Sequence, residues 1–192
     1  MHPATRGRAR LNGQAEIKED AIVLSTEEVY GNCPKYIQKT ELEHTTRPTE
    51  SNTVISQALS ATDKAFIEKA HTFFIASAHP TGKADVSHRG GQAGFVHVAC
   101  NELRFPDYAG NQMFNTLGNI QTNPKVGLLF VDFTTGDVLQ LSGKAKVLWD
   151  EADYTVFSGA ERAVSVTIEE VRYSKNTLGL RGGVLEFSPH NP

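Results

Sequence analysis

Residues 104–150, RFPDYAGNQMFNTLGNIQTNPKVGLLFVDFTTGDVLQLSGKAKVLWD, run from a polar loop through one short helical period into two long strand patterns. Phe114, Leu117, Ile120 and Gln121 fall at offsets of three, six and seven, which predicts a short amphipathic helix over 112–122. Asn123-Pro124 stops it, because the residue ahead of a proline is steered away from helical backbone. Residues 126–133 are a dense apolar, β-branched run, and Thr134-Thr135-Gly136-Asp137 has turn chemistry. Residues 138–148 then alternate, with Leu139, Leu141, Gly143, Ala145 and Val147 on one face. The expected unit is a helix followed by an antiparallel hairpin of two long strands.

Upstream, Ser60 followed three residues later by Asp63 marks a helix start. Strand patterns follow at 72–78, 84–88, 95–99 and 103–105, with His79-Pro-Thr-Gly-Lys83 as a turn and Arg89-Gly-Gly-Gln-Ala-Gly94 as a loop. Downstream come an acidic helical segment at 150–158 and a last strand at 163–174. That order predicts a β-dominated antiparallel barrel with short helices closing its ends.

The N-terminus begins with a basic, turn-rich tail, then two strand patterns at 11–17 and 22–30 flank Lys18-Glu19-Asp20. A lone hairpin is marginal, so Leu11, Ile17, Ile22 and Leu24 are expected to pack on the main barrel or on a second chain. Residues 11–17, LNGQAEI, parallel 141–147, LSGKAKV, and 21–29, AIVLSTEEV, parallel 163–171, AVSVTIEEV. The N-terminus therefore reads as a repeat of the last hairpin, or as a second hairpin alike by chance. Residues 31–36 break the second strand, and 44–52, HTTRPTESN, are polar and aperiodic, as a linker is.

The 192 residues are 39% hydrophobic and 21% charged, enough for one ordinary core and unlike a disordered chain. A formal net charge of -3 provides no field for nucleic acid or an anionic membrane, so neither partner is expected. Cys33 and Cys100 are far apart in sequence, and no apolar run is long enough for a signal-peptide core or a membrane span. A cytoplasmic protein with free thiols is the expectation.

In order along the chain, FFIAS at 73–77, DVSHRGG at 85–91, FPDYAGN at 105–111, LGNI at 117–120, NPKVGLLF at 123–130 and LSGKA at 141–145 resemble one family. It is the flavin-binding split barrels related to pyridoxamine 5'-phosphate oxidase. The resemblance implies an antiparallel split β-barrel over 60–192, FMN as cofactor, and a homodimer with the flavin at the subunit interface. It also implies a small-molecule substrate or electron donor. Residues 1–43 then resemble the end of a preceding split-barrel module, with 44–59 as linker. Two features depart from the oxidases themselves. Where those enzymes place arginine and lysine together on the FMN phosphate, this chain has Gly110-Asn111 and Asn115-Thr116, and its end, LRGGVLEFSPHNP, lacks their basic, aromatic substrate segment.

A flavin phosphate needs a cation and several hydrogen-bond donors. Ser87, Arg89 and the backbone of Gly90 and Gly91 can supply them from a strand end and tight loop. Asn111, Asn115, Thr116 and Asn119 add neutral donors near a helix start, where the dipole favours an anion. The competing reading makes RGGQAG a plain hairpin loop and the asparagines surface caps. His71, His79, His88 and His97 show no ligand spacing on one helix, so no metal is expected. Cys33 has no local base, Thr81-Gly82-Lys83 lacks phosphate-loop spacing, and Trp149 is a packing residue or touches a ring system. The reading is an FMN-dependent oxidoreductase, with a non-catalytic flavin carrier or sensor, or a haem- or deazaflavin-handling relative, as alternatives.

Overall fold

In the computed structural model, which describes residues 1–46 and 52–192, the hairpin after Pro124 sits at the middle of the main sheet. In chain order the elements are β1 (Ala9–Lys18), β2 (Ala21–Gly31), β3 (Lys39–His44), β4 (Thr53–Ser56) and α1 (Ala61–Lys69). There follow β5 (Thr72–Ala78), β6 (Ala84–Gly90), β7 (His97–Ala99), β8 (Glu102–Tyr108) and α2 (Asn115–Thr122). The chain ends with β9 (Lys125–Asp132), β10 (Asp137–Leu148), α3 (Glu151–Tyr154), β11 (Ala160–Ser174) and β12 (Leu180–Glu186).

The main sheet is antiparallel in the order β6-β5-β9-β10-β11-β8-β7, with β4 added on β11. Its inner face is apolar because the strands alternate, and β10 buries Leu139, Leu141, Ala145 and Val147 at 5% exposure or less. Phe73 stands at the centre, its ring 5.0 Å from both Phe105 and Phe130, all three fully buried. Each contributes about 1.5–3 kcal/mol through the area it removes from water. α1 starts as expected: Asp63 N–H donates to Ser60 Oγ (3.1 Å) and Ser60 N–H donates to Asp63 Oδ2 (2.8 Å), closing a capping box.

The helix expected over 112–122 begins at Asn115 and buries Thr116, Leu117 and Ile120. Phe114 lies ahead of it and is 49% exposed, and Gln121 faces solvent. β3 and β12 carry no local strand signal, being charged and glycine-rich, and they pair only with each other across the chain, Leu180 opposite His44. Of residues 44–59, expected as a linker, 47–51 lie outside the described residues, and Thr53–Ser56 pairs with β11.

β1 and β2 form their own two-stranded ribbon. It shares with β10 and β11 a detail no composition dictates: the register slips between Asn12 and Gly13 and again between Ser142 and Gly143. At both bulges a side chain is barred, since a Cβ on Gly13 would lie 2.0 Å from the Ser25 carbonyl oxygen and one on Gly143 2.2 Å from that of Thr167. Within one chain the packing expected on the barrel is confined to the base of the ribbon, and packing on a second chain belongs to the homodimer proposed below. Leu11, Ile17 and Ile22 are 52%, 85% and 76% exposed, because only the base of the ribbon reaches the barrel.

That base is held by charge. Arg10 Nη1 donates to Asp85 Oδ1 at 2.5 Å, with side chains 9% and 6% exposed. Removing one partner leaves the other buried and uncompensated, so Arg10→Ala is expected to cost about 3–5 kcal/mol in denaturant unfolding. Ile17→Ser at the exposed tip should stay within about 0.5 kcal/mol of wild type. Equal losses at the two positions would mean that the ribbon is anchored along its length.

Candidate functional site

β6 and β8 are not neighbours in the sheet, and the gap between them is spanned by side chains: Arg89 Nη1 on β6 pairs with Asp107 Oδ1 on β8. Arg162 Nη1 reaches the other oxygen of the same carboxylate at 3.2 Å. A cleft of ≈ 130 Å³ lies over this bridge. Its floor is Ser87, His88, Arg89 and Gly90, and the loop ahead of α2 supplies Asn111, Phe114 and Asn115.

Of the expected site residues, Ser87, Arg89, Gly90, Asn111 and Asn115 thus come together around one cleft, and Gly91, Thr116 and Asn119 stand behind or beside it. Gly91 is buried with Phe95 packed against it, and its carbonyl accepts from Gln38 Nε2. Thr116 Oγ1 lies 2.8 Å from both Asp85 Oδ2 and Ser87 Oγ, fixing the floor from below. Asn119 Nδ2 donates to Ser77 Oγ on β5 at 3.1 Å. One helical turn explains the divergence: Asn115 faces the cleft while Thr116, the next residue round, faces the core.

The remaining wall comes from the N-terminal segment, which local reading treated as strand and turn only. Arg8, Tyr30, Asn32 and Tyr36 line the cleft. Arg8 Nη2 donates to the Val86 carbonyl, Asn115 Nδ2 to Tyr30 Oη (3.3 Å), and Lys35 Nζ and Tyr36 Oη to the Ala109 carbonyl (3.0 and 2.9 Å). These contacts join positions more than seventy residues apart, so no spacing in the sequence announces them.

Burial alone would raise the Asp85 carboxyl, but hydrogen bonds from Thr116, Arg10 and Ser87, with the charge of Arg10, hold it below the usual range. Among the described residues, buried polar atoms at Asn32 Oδ1, His88 Nε2 and Arg89 Nε find no partner. Such atoms cost roughly 1–3 kcal/mol each and are kept where a ligand uses them or where strain is tolerated. A larger hollow of ≈ 390 Å³ lies between α1 and β12. Its lining includes Phe66, Phe133 and His71 but no arginine. Among the described residues no three His, Cys, Asp or Glu side chains come together as a metal site, and no helix is long and apolar enough to cross a membrane.

Fold and cleft define a split-barrel protein with a polar, arginine-bearing groove at its open seam. Residues 59–179 match the family model described as pyridoxamine 5'-phosphate oxidase. The chain belongs to that family. Comparison with curated proteins gives no match. Among solved structures it is similar to HupZ from Group A Streptococcus, with 16% identity over 65% of this chain and 99% of that one and a TM-score of 0.49. It is similar to the FAD binding protein from Mycobacterium smegmatis (16% identity, 62% and 98% covered, TM-score 0.44). It is also similar to HutZ, the heme storage protein from Vibrio cholerae (11% identity, 60% and 93% covered, TM-score 0.46).

His88 offers a pH test of the floor. Burial first, then the charges of Arg8, Arg89 and His71, push it from 6.5 to about 3. The unfolded chain takes up this proton below about pH 6.5 and the folded chain does not, so stability from neutral His88 is whole above that pH. It is lost as pH falls toward 3, by up to about 1.4 kcal/mol per pH unit. His88→Phe keeps a ring against Phe74, now 5.6 Å away, and removes the proton site. Melting of wild type should fall more steeply than that of His88→Phe between about pH 6.5 and pH 5. Parallel profiles would mean that His88 protonates freely in the folded chain.

Proposed function

We propose that this protein binds FMN in the seam cleft and uses it as an oxidoreductase on a small-molecule substrate or electron donor. One observation carries the reading: in a cleft lined by Ser87, Asn111 and Asn115, Arg89 is held in place by Asp107 while its Nε has no acceptor among the described residues. A guanidinium fixed on one edge and unsatisfied on another suits a phosphate, which offers several acceptor oxygens at once. Ser87 and the two asparagines add neutral donors, and Asn32 Oδ1, buried without a donor, suits an N–H of a heterocycle.

The cleft suits the charge of the group and is too small to enclose all of it. The ≈ 130 Å³ cleft is below the roughly 300–1,000 Å³ of sites that enclose a whole ligand of this class, so it takes the phosphate end and leaves the ring at the open mouth. FMN supplies the electron chemistry when bound. The chain orients the cofactor, and a second copy covering the mouth would exclude water from the ring. A homodimer is therefore part of the proposal.

The visible spectrum of protein purified without added cofactor should show oxidised flavin. Fluorescence titration should find FMN weakened by roughly ten- to a hundredfold in Arg89→Ala, with riboflavin, which lacks the phosphate, nearly indifferent. Equal loss for both ligands would indicate a folding defect, and no loss for either would remove Arg89 from the site. Sedimentation of the flavin-loaded protein should give dimers at micromolar concentration, and monomers alone would end the shared-interface part of the reading.

A further inference from the structure

The charge around the cleft does not balance. Arg10 is paired with Asp85, Arg89 with Asp107, and Arg162 with Asp107 and the half-exposed Glu161. Four arginines therefore meet three carboxylates, and the one left over is Arg8. Among the described residues the single hydrogen bond of its side chain goes to a neutral carbonyl, that of Val86, and the guanidinium has no ion pair there. Half-buried on the wall of the cleft, it lies close enough to Arg10 and Arg89 for their charges to act on it. Burial and then Arg10 draw its pKa down, with a smaller push from Arg89, while Asp85 and Tyr30 draw it up.

Arg8 and Arg89 line one cleft, their like charges and that of nearby Arg10 oppose one another, and Asp85 and Asp107 are already engaged by other arginines. An anion entering between Arg8 and Arg89 relieves that repulsion and gives Arg8 the partner it lacks. We infer that Arg8 is the second arginine of a two-arginine phosphate site, lining the same cleft as Arg89, with a phosphate monoester dianion as its ligand. The inference rests on the FMN reading for the identity of the rest of the ligand, not for the anion itself. It assigns a binding role to the N-terminal segment of the same chain. The Arg10–Asp85 pair and the contact between Asn115 and Tyr30 hold that segment on the cleft without a second subunit.

The test uses the full chain as wild type, Arg8→Gln and Arg8→Lys, titrated with FMN and with riboflavin and melted with and without inorganic phosphate. Arg8→Gln should weaken FMN about tenfold or more and leave riboflavin unchanged, with Arg8→Lys between the two. Melting without ligand should stay level or rise in Arg8→Gln, because a like charge has left the cluster, whereas a purely structural Arg8 would lower it. Phosphate alone should raise the melting temperature of wild type and not of Arg8→Gln. Unchanged FMN affinity in Arg8→Gln, or equal loss of both flavins, overturns the inference. If wild type binds neither flavin, the FMN reading fails by itself. The phosphate melts then decide Arg8, and equal shifts in wild type and Arg8→Gln reject it.

Discussion

Asp85 is the point on which three parts of the chain converge. Its carboxylate accepts from Arg10 on β1, from Thr116 on α2 and from Ser87 on its own strand, at 2.5, 2.8 and 3.0 Å. A buried carboxylate is costly unless its lone pairs are filled, and here donors from three elements fill them. The ribbon, the cleft floor and the helix beside it thus take their relative positions from one charge. The Arg89–Asp107 bridge repeats the device on the other side, spanning two strands that the backbone leaves unpaired.

Both devices concentrate arginine at the seam of a chain whose net charge is -3. Overall charge says little here, because a cleft responds to the groups within a Debye length, and those are in cationic excess. Burial is the main reason that the His88 pKa is lowered, and the charges of Arg8, Arg89 and His71 add to it. Local electrostatics therefore suit the anionic group proposed for the seam.

The ribbon is the least expected feature. Leu11, Ala15 and Ile17, facing Val29, Leu24 and Ile22, correspond in position to Leu141, Ala145 and Val147 facing Val171, Val166 and Val164. In β10 and β11 those six side chains form the barrel wall, at 5% exposure or less. In the ribbon the same pattern, with the same glycine bulge, stands largely in solvent. Identical local chemistry thus gives identical strand geometry in two settings, while burial depends on what lies opposite.

Strand periodicity, the stop at Asn123-Pro124, the capping box at Ser60 and the parallel between 11–17 and 141–147 are all legible in the sequence, because each acts over a few residues where backbone propensity and side-chain pattern decide. The polar floor was legible for the same reason, since Ser87, Arg89 and Gly90 sit together on one strand end. Tertiary structure alone paired β3 with β12, tied Arg89 to Asp107, and brought Arg8, Asn32 and Tyr36 onto the wall. Those outcomes are balances of charge, desolvation and hydrogen bonding between groups distant in the chain, and such balances exist only once the fold has placed the partners beside each other.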